Sequence, residues 1–367
     1  MNKIRVLQFS ITNTGGGITQ YILNNWKYID RKRFQFDFVT FSPKLDYEDE
    51  LLAEGCKIYH IKKRAEDNLD DFNNEIKQVL ENQYDVIHLH TNFWKSLEME
   101  KLAKEANVSK IIIHAHNSGI YEDKEGKGEL EQHNYIKEQI NEGIATDFWA
   151  CSWKAAEFLY GNRIPRQKIK IMKNAIALDM FKFSPSIRNI YRKKMRIDNC
   201  FVIGHVGRFS KEKNHSFLID VFRDICSKRQ DARLMLIGKG TLEDEIKAQI
   251  KRYGIEDRVL LLGKREDVYF LYNAMDVFCF PSHYEGLGMA LIEAQANGLI
   301  CIGSDNIPQE AVIEDITQVR ILEKNKWVEM LLNGSWERKH EGIEMLQRRG
   351  YDIREQIKTV ENEYSKL

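Results

Sequence analysis

Apolar residues gather in short unbroken runs, and between the runs they recur every three or four positions. These two patterns predict strands alternating with helices. Ile4–Phe9 reads as a strand, followed by Gly15, Gly16 and Gly17 and then by Ile18, Tyr21, Ile22, Trp26 and Ile29 at helical spacing. Further strands are predicted at Phe36–Phe41, Lys57–Ile61, Tyr84–Leu89, Lys110–Ala115 and Phe148–Cys151, with helices at Leu69–Leu80 and Leu97–Ala106. Charges and glycines interrupt the pattern over Tyr121–Gly128, where a mobile loop is expected. After Ile169–Asn174 and a charged helix at Arg188–Arg196, the same grammar restarts: strand Phe201–Val206, loop Gly207–Asn214, helix His215–Cys226. Leu234–Ile237, Val259–Leu262, Val277–Phe280 and Ile300–Ile302 continue it as strands, Leu242–Tyr253 and Val268–Ala274 as helices, and Ile353–Tyr364 as a charged amphipathic helix.

Strands alternating with helices imply an α/β fold, a parallel sheet covered on both faces, and the restart implies two doubly wound, Rossmann-like domains in succession. The expected division is residues 1–180, residues 181–350, and a C-terminal helix over 351–367 bracing the two domains. A length of 367 residues suits two cores of ordinary size. With 43% hydrophobic residues, 30% charged residues and only 5 prolines, the chain is globular rather than disordered. A net charge of +0 leaves no basic footprint for a nucleic-acid binder. The six cysteines are scattered without a Cys-x-x-Cys pair and read as reduced core residues. The N-terminus is too short and polar for a signal peptide, and no apolar run reaches membrane-spanning length. A cytoplasmic protein is expected, at most resting on the inner face of the cell membrane.

Open parallel sheets bind ligands at the carboxyl ends of their strands. Gly15–Gly17, His116–Asn117, Gly207–Asn214, Gly238–Gly240 and His283–Gly288 all follow strands, and they would line one cleft if the two domains face each other. In the stretch His283–Gly298 a strand leads into two glycines and then a helix, an arrangement that points free N–H groups at an anion. Two carboxylates frame it, Glu285 and Glu293; the helical rise between Gly288 and Glu293 is about 8 Å, within reach of one sugar nucleotide. General acid/base catalysis and binding of ligand hydroxyls both fit such a pair. Arg208, Lys211 and Lys213 could together neutralise a diphosphate, Arg208 through its planar fork, or could simply be a solvated loop. The first glycine loop lacks a full Gly-x-Gly-x-x-Gly, since position 20 is Gln20. His88 and His90 alternate on one strand, and His90 fits either an acceptor contact or a structural role. Phe93, Trp94, Arg31–Arg33 and Lys62–Arg64 fit either a lipid-diphosphate acceptor at a membrane face or solvated surface. No Asp-x-Asp ligand set is present, and Asp70–Asp71 begins a helix far in sequence from these loops.

Residues 201–310 resemble the donor half of retaining glycosyltransferases of the GT-B fold, family 4. Gly207-Arg208 with Lys213 is similar to that family's diphosphate clamp, and Glu285 with Glu293 eight positions later to its paired-glutamate signature. Asn174-Ala175-Ile176 resembles its Asn-Gly-Ile linker, departing at Ala175, while His114–Ser118 and Gly15–Gly17 are weaker likenesses. The overall flavour is that of bacterial capsule and exopolysaccharide enzymes.

The resemblance implies roles. Arg208 and Lys213 would hold the diphosphate, the backbone of Gly288, Met289 and Ala290 would meet phosphate and sugar, Glu285 the sugar hydroxyls and Glu293 the ribose. Gly263, Lys264 and Arg265 would border the base, and Gly16 and Gly17 would approach donor or acceptor. His116 would lie near the transferred sugar, with His90 and Asn117 toward the acceptor. Transfer builds negative charge on the leaving group, which aimed cations and helix-end N–H groups stabilise without a metal or other cofactor. The function so implied is retaining transfer of a hexose or N-acetylhexosamine from a nucleotide sugar, most naturally a UDP-sugar, to a lipid-linked or growing glycan. Two rivals are a catalytically silent partner of the same shape and a nucleotide-sugar epimerase or NAD-dependent oxidoreductase.

Overall fold

Near-continuous apolar runs form strands here because helices cover both faces of a parallel sheet, leaving no face for polar residues. The computed structural model describes residues 3–13, 16–313 and 316–367, so Gly15 lies outside the described residues. By internal contacts the chain divides into two units, Met1–Ala175 with Ile353–Leu367, and Ile176–Asp352.

The first unit runs β1 (Ile4–Ile11), α1 (Gly17–Tyr28), β2 (Phe34–Thr40), α2 (Glu48–Ala53), β3 (Ile58–His60), α3 (Leu69–Leu80), β4 (Val86–Thr91), α4 (Glu98–Glu105), β5 (Lys110–Ala115), α5 (Lys124–Lys137), β6 (Asp147–Ala150), α6 (Trp153–Tyr160) and β7 (Ile169–Ile171). Its seven strands lie in the order β3-β2-β1-β4-β5-β6-β7, all parallel. Trp26, Phe34, Phe36, Phe38 and Trp149 form a core on one face.

The second unit runs α7 (Pro185–Met195), β8 (Phe201–Val206), α8 (His215–Cys226), β9 (Ala232–Ile237), α9 (Glu243–Tyr253), β10 (Val259–Leu261), α10 (Val268–Ala274), β11 (Val277–Phe280), α11 (Met289–Ala296), β12 (Ile300–Ser304), β13 (Ile316–Val319), α12 (Lys324–Asn333) and α13 (Gly342–Arg348). Its sheet order is β10-β9-β8-β11-β12-β13, again all parallel. Phe222, Leu234, Leu236, Val277 and Trp327 are among its core residues.

Helix α14 (Ile353–Tyr364) returns to the first unit, where Ile357, Val360 and Tyr364 join the core that holds Trp149. Its charged face hides this, because only one residue in three or four points inward.

One sequence expectation fails outright. Tyr121–Gly128 is not a loop throughout, because α5 starts at Lys124. Asp123 Oδ1 accepts from the Gly126 N–H at 2.9 Å, supplying the N-terminal acceptor that a helix start needs. A Cβ on Gly126 would meet the Tyr121 carbonyl oxygen at 1.8 Å, so the glycine that reads as a breaker is the residue that fits. The short elements α2, α6, β13, α12 and α13 were not expected from pattern.

Candidate functional site

In each sheet the first strand lies beside the fourth, and chain connections depart in opposite directions from that pair. This is the place where doubly wound sheets receive ligands. In the second unit the loop after β8 therefore meets the loop after β11. Lys213 Nζ donates to Glu285 Oε1 at 2.6 Å, the His283 N–H donates to the Glu212 carbonyl at 2.8 Å, and Asn214 Nδ2 donates to the Pro281 carbonyl at 3.2 Å. Lys213 and Glu285 keep only 19% and 9% of their side-chain exposure, so this ion pair is largely out of water.

Backbone bonds hold the neighbouring strand ends side by side. The Gly207 N–H donates to Ile237, the Phe209 N–H to Lys239, and the Gly238 N–H to Gly263, all at 2.9–3.0 Å. Gly238 sits at φ +143, and a Cβ there would lie 2.0 Å from the Gly207 carbonyl oxygen. The loop geometry thus demands a glycine.

Arg208 remains half in solvent, and Glu212 Oε1 accepts from its Nη2 at 3.0 Å. Burial pushes the Glu212 carboxyl up, but Ser210, a backbone N–H, Arg208 and Lys213 outweigh it and hold the group below the usual carboxylate range. Glu212 therefore anchors Arg208 while Glu285 anchors Lys213, a role for Glu212 not assigned from sequence. Its spacing of four from Arg208 was the available signal.

Helix α11 starts behind Gly288, at φ +97, with no side-chain cap. A Cβ at Gly288 would be 3.1 Å from the Phe280 ring. The first-turn N–H groups, those of Met289 and Ala290 included, have no intrahelical acceptor and carry the positive end of the helix dipole. Glu293 lies farther along the same helix. Burial raises its carboxyl to about 7, and Tyr272 donates its hydroxyl to Glu293 Oε2 at 2.8 Å. Tyr272 is a second residue that sequence reasoning missed. Gly263, Lys264 and Arg265 follow the edge strand β10, and Arg265 forms a two-pronged pair with Asp267 at 2.8 and 2.7 Å.

In the first unit the corresponding place lies between β1 and β4. Gly16 caps α1 without a side-chain bond, and a Cβ at Gly17 would meet nothing within 4 Å. His116 and His90 are brought together: His116 Nε2 and His90 Nδ1 are 2.9 Å apart. Burial lowers the His116 ring to about 3 and the His90 ring well below its ordinary value, so both are neutral at physiological pH. Asn117 spends its amide locally, donating to the Gly119 carbonyl at 2.7 Å and accepting the Ser118 N–H at 3.0 Å.

Trp94, which fitted either an acceptor contact or solvated surface, is neither but a core residue at 1% exposure, with its indole N–H donating to the Leu159 carbonyl at 2.7 Å. Arg31 pairs with Glu54, Arg33 with Glu361, and Arg64 lies 4.2 Å over the Phe41 ring.

Comparison with known proteins bears on the family and the fold. Residues 187–344 match the family described as "Glycosyl transferases group 1", and residues 19–144 match "Glycosyl transferase 4-like". The putative glycosyltransferase EpsF of Bacillus subtilis is 28% identical over 98% of this chain and 96% of its own. A UDP-Gal:alpha-D-GlcNAc-diphosphoundecaprenol alpha-1,3-galactosyltransferase of Escherichia coli is 22% identical over 83% of this chain and 80% of its own. Among solved structures, Anabaena HepE in complex with UDP and glucose superposes with a TM-score of 0.79 at 18% identity, covering 100% of both chains.

Proposed function

The chain belongs to the family 4 glycosyltransferases of GT-B fold, and from that premise we propose the particular reaction it performs. It transfers a hexose or N-acetylhexosamine from a nucleoside-diphosphate sugar, a UDP-sugar above all, to a lipid-linked or growing glycan of a surface polysaccharide. The anomeric configuration is retained and no metal ion takes part in the transfer. The acceptor brings the enzyme to the inner face of the cell membrane; among the described residues no helix is long and apolar enough to cross it.

The observation that carries the donor reading is the Lys213–Glu285 pair, held between Arg208 and the uncapped start of α11. Leaving-group departure concentrates charge on a diphosphate, and a stationary lysine, a guanidinium and helix-end N–H groups stabilise it without reorganising. Glu285, already oriented by Lys213, accepts hydrogen bonds from the sugar hydroxyls. Glu293 accepts them from the ribose, while Gly263, Lys264 and Arg265 border the base. Both glutamates thus orient the donor rather than act as an acid/base pair. The UDP in the superposable HepE structure supports the choice of nucleotide, and the diphosphoundecaprenol substrate of the E. coli relative supports a lipid-linked acceptor. In the first unit, we assign His116 to the transferred sugar, Gly16 and Gly17 to the donor, and His90 and Asn117 to the acceptor.

Calorimetric titration with UDP and GDP tests the donor site, comparing the wild type with Arg208→Ala and Glu293→Ala. UDP binding that weakens in both variants is the expected result. If neither nucleotide binds, or both substitutions leave affinity unchanged, the donor assignment is wrong. Slow hydrolysis of a panel of nucleotide sugars then names the sugar without needing the acceptor.

A further inference from the structure

Four imidazoles converge beneath helix α1. His88 and His90 are two apart on β4 and so share one face of the sheet, and His114 on β5 stands in register with His90. His116 follows two positions later. The ring nitrogens face inward in pairs: His88 Nε2 lies 3.1 Å from His114 Nδ1, and His90 Nδ1 lies 2.9 Å from His116 Nε2. One nitrogen from each of His88, His90 and His114 falls within 4.8 Å of the others.

We propose that His88, His90 and His114 form a binding site for a zinc-class divalent ion, with His116 on the fourth side. Four imidazoles around zinc at about 2.0–2.1 Å place neighbouring nitrogens about 3.3 Å apart. The two close pairs are already within a few tenths of an ångström of that spacing, and the set as a whole, within 4.8 Å, would contract on binding.

The outer nitrogens reinforce the assignment. His90 Nε2 is 2.8 Å from Gln8 Oε1, which can only accept, so the proton of His90 sits on Nε2 and its Nδ1 lone pair points inward. His88 Nδ1 is 2.7 Å from the Tyr364 hydroxyl, whose oxygen also receives Gln8 Nε2 at 3.2 Å. Acceptors on the outer N–H groups are what fixes the tautomer and orientation of ligating histidines. His116 Nδ1 has no hydrogen-bond partner among the described residues, so that ring is not committed elsewhere by a second bond. Imidazole sets without carboxylate or thiolate suit zinc, copper or nickel rather than magnesium or calcium.

Such an ion would tie β4 to β5 and, through Tyr364, to the C-terminal helix. It would be a structural staple that takes no chemical part in the metal-free transfer proposed above, although it draws on His90 and His116, which that reading sets near acceptor and sugar; its test, metal uptake, does not depend on that proposal.

Untagged full-length protein, stripped with chelator, is titrated with Co2+ and separately analysed for Zn2+ content. The expected results are one Zn2+ per chain, a Co2+ spectrum of tetrahedral type that Zn2+ displaces, and a raised thermal midpoint. His88→Ala and His114→Ala should abolish the Co2+ spectrum, Gln8→Leu should weaken Co2+ by about 10–100-fold, and His205→Ala in the second unit, whatever it costs in stability, should leave the Co2+ spectrum unchanged. Circular dichroism and UDP titration report whether each variant is folded. Wild-type protein that takes up no stoichiometric Zn2+ or Co2+ overturns the proposal without any variant. Folded His88→Ala or His114→Ala protein that binds Co2+ as the wild type does overturns it equally, leaving the four rings as a hydrogen-bonded core.

Discussion

Replacing Lys213 by methionine removes the cation 2.6 Å from Glu285 while keeping most of the side-chain volume. A fully buried pair loses about 3–5 kcal/mol when one partner is deleted, and an exposed pair about 0–1. At 19% and 9% exposure this pair belongs toward the buried end, so Lys213→Met should cost about 2–3 kcal/mol. For a unit of this size that corresponds to a fall in thermal midpoint of about 4–12 °C. Glu285→Gln alone should cost less, because a lysine ammonium can reach water more readily than a short carboxylate. The double variant should then recover about 2 kcal/mol relative to the sum. Binding supplies a second, independent readout. Lys213→Met should weaken UDP by about 10–100-fold, the loss of one charge-assisted hydrogen bond. Glu285→Gln should leave UDP affinity equal or improved, since it frees the lysine for phosphate, yet weaken the intact sugar donor. Denaturation of the four proteins of the cycle, with parallel UDP titration, decides the matter. Additive stability effects within about 0.5 kcal/mol, or UDP affinity indifferent to Lys213→Met, would refute the reasoning.

Glu293, raised to about 7, should lose its proton when ribose hydroxyls donate to it, so UDP affinity should rise about tenfold between pH 6 and pH 8. Calorimetry in buffers of different ionisation enthalpy should detect proton release near pH 7 that Glu293→Gln abolishes; an unchanged enthalpy between buffers contradicts the ribose role. Gly238→Ala would drive a methyl into the Gly207 carbonyl and displace Arg208, so UDP binding should fall sharply. Gly254→Ala, also at positive φ but with nothing within 4 Å, should cost only about 1 kcal/mol and spare binding. Glu100 on α4 is buried, and burial raises its carboxyl to about 7. The folded state holds this proton longer than the unfolded state, whose carboxyl titrates near 4.5. The stability it contributes is therefore full at low pH and lost as pH rises from about 4.5 to about 7, by about 3 kcal/mol in all. Glu100→Gln should raise the thermal midpoint at pH 8 and leave it nearly unchanged at pH 5.

The fold was legible because period and punctuation agree in the second unit. Phe201–Val206, His215–Cys226, Val268–Ala274 and Val277–Phe280 have the boundaries that their apolar runs and flanking glycines predict. Legibility failed where a residue's partner is distant in sequence. Gly126 breaks a helix by composition, yet it admits the Tyr121 backbone and starts one. Trp94 looks like a surface aromatic beside Lys95, yet the Leu159 carbonyl, 65 positions later, draws its indole inside.

The donor site reads easily for a related reason. Its residues stand on loops, where glycines and charges contrast with the apolar strands before them, and Arg208, Lys213 and Glu285 are conspicuous in sequence. The first unit offers less contrast, because His88, His90 and His114 lie within strands. β4 runs to Thr91, two residues past the expected Leu89, and His90, expected on one strand with His88, stands in register with His114. Period-two alternation then puts four histidines on one buried face, a position that pattern alone assigns to core. What separates them from ordinary core residues is the row of polar partners that Gln8 and Tyr364 bring from opposite ends of the chain. Substituting His90 should therefore loosen that row and the strand pair before it alters acceptor choice. A His90→Ala protein with normal stability but changed acceptor preference would reverse this ordering.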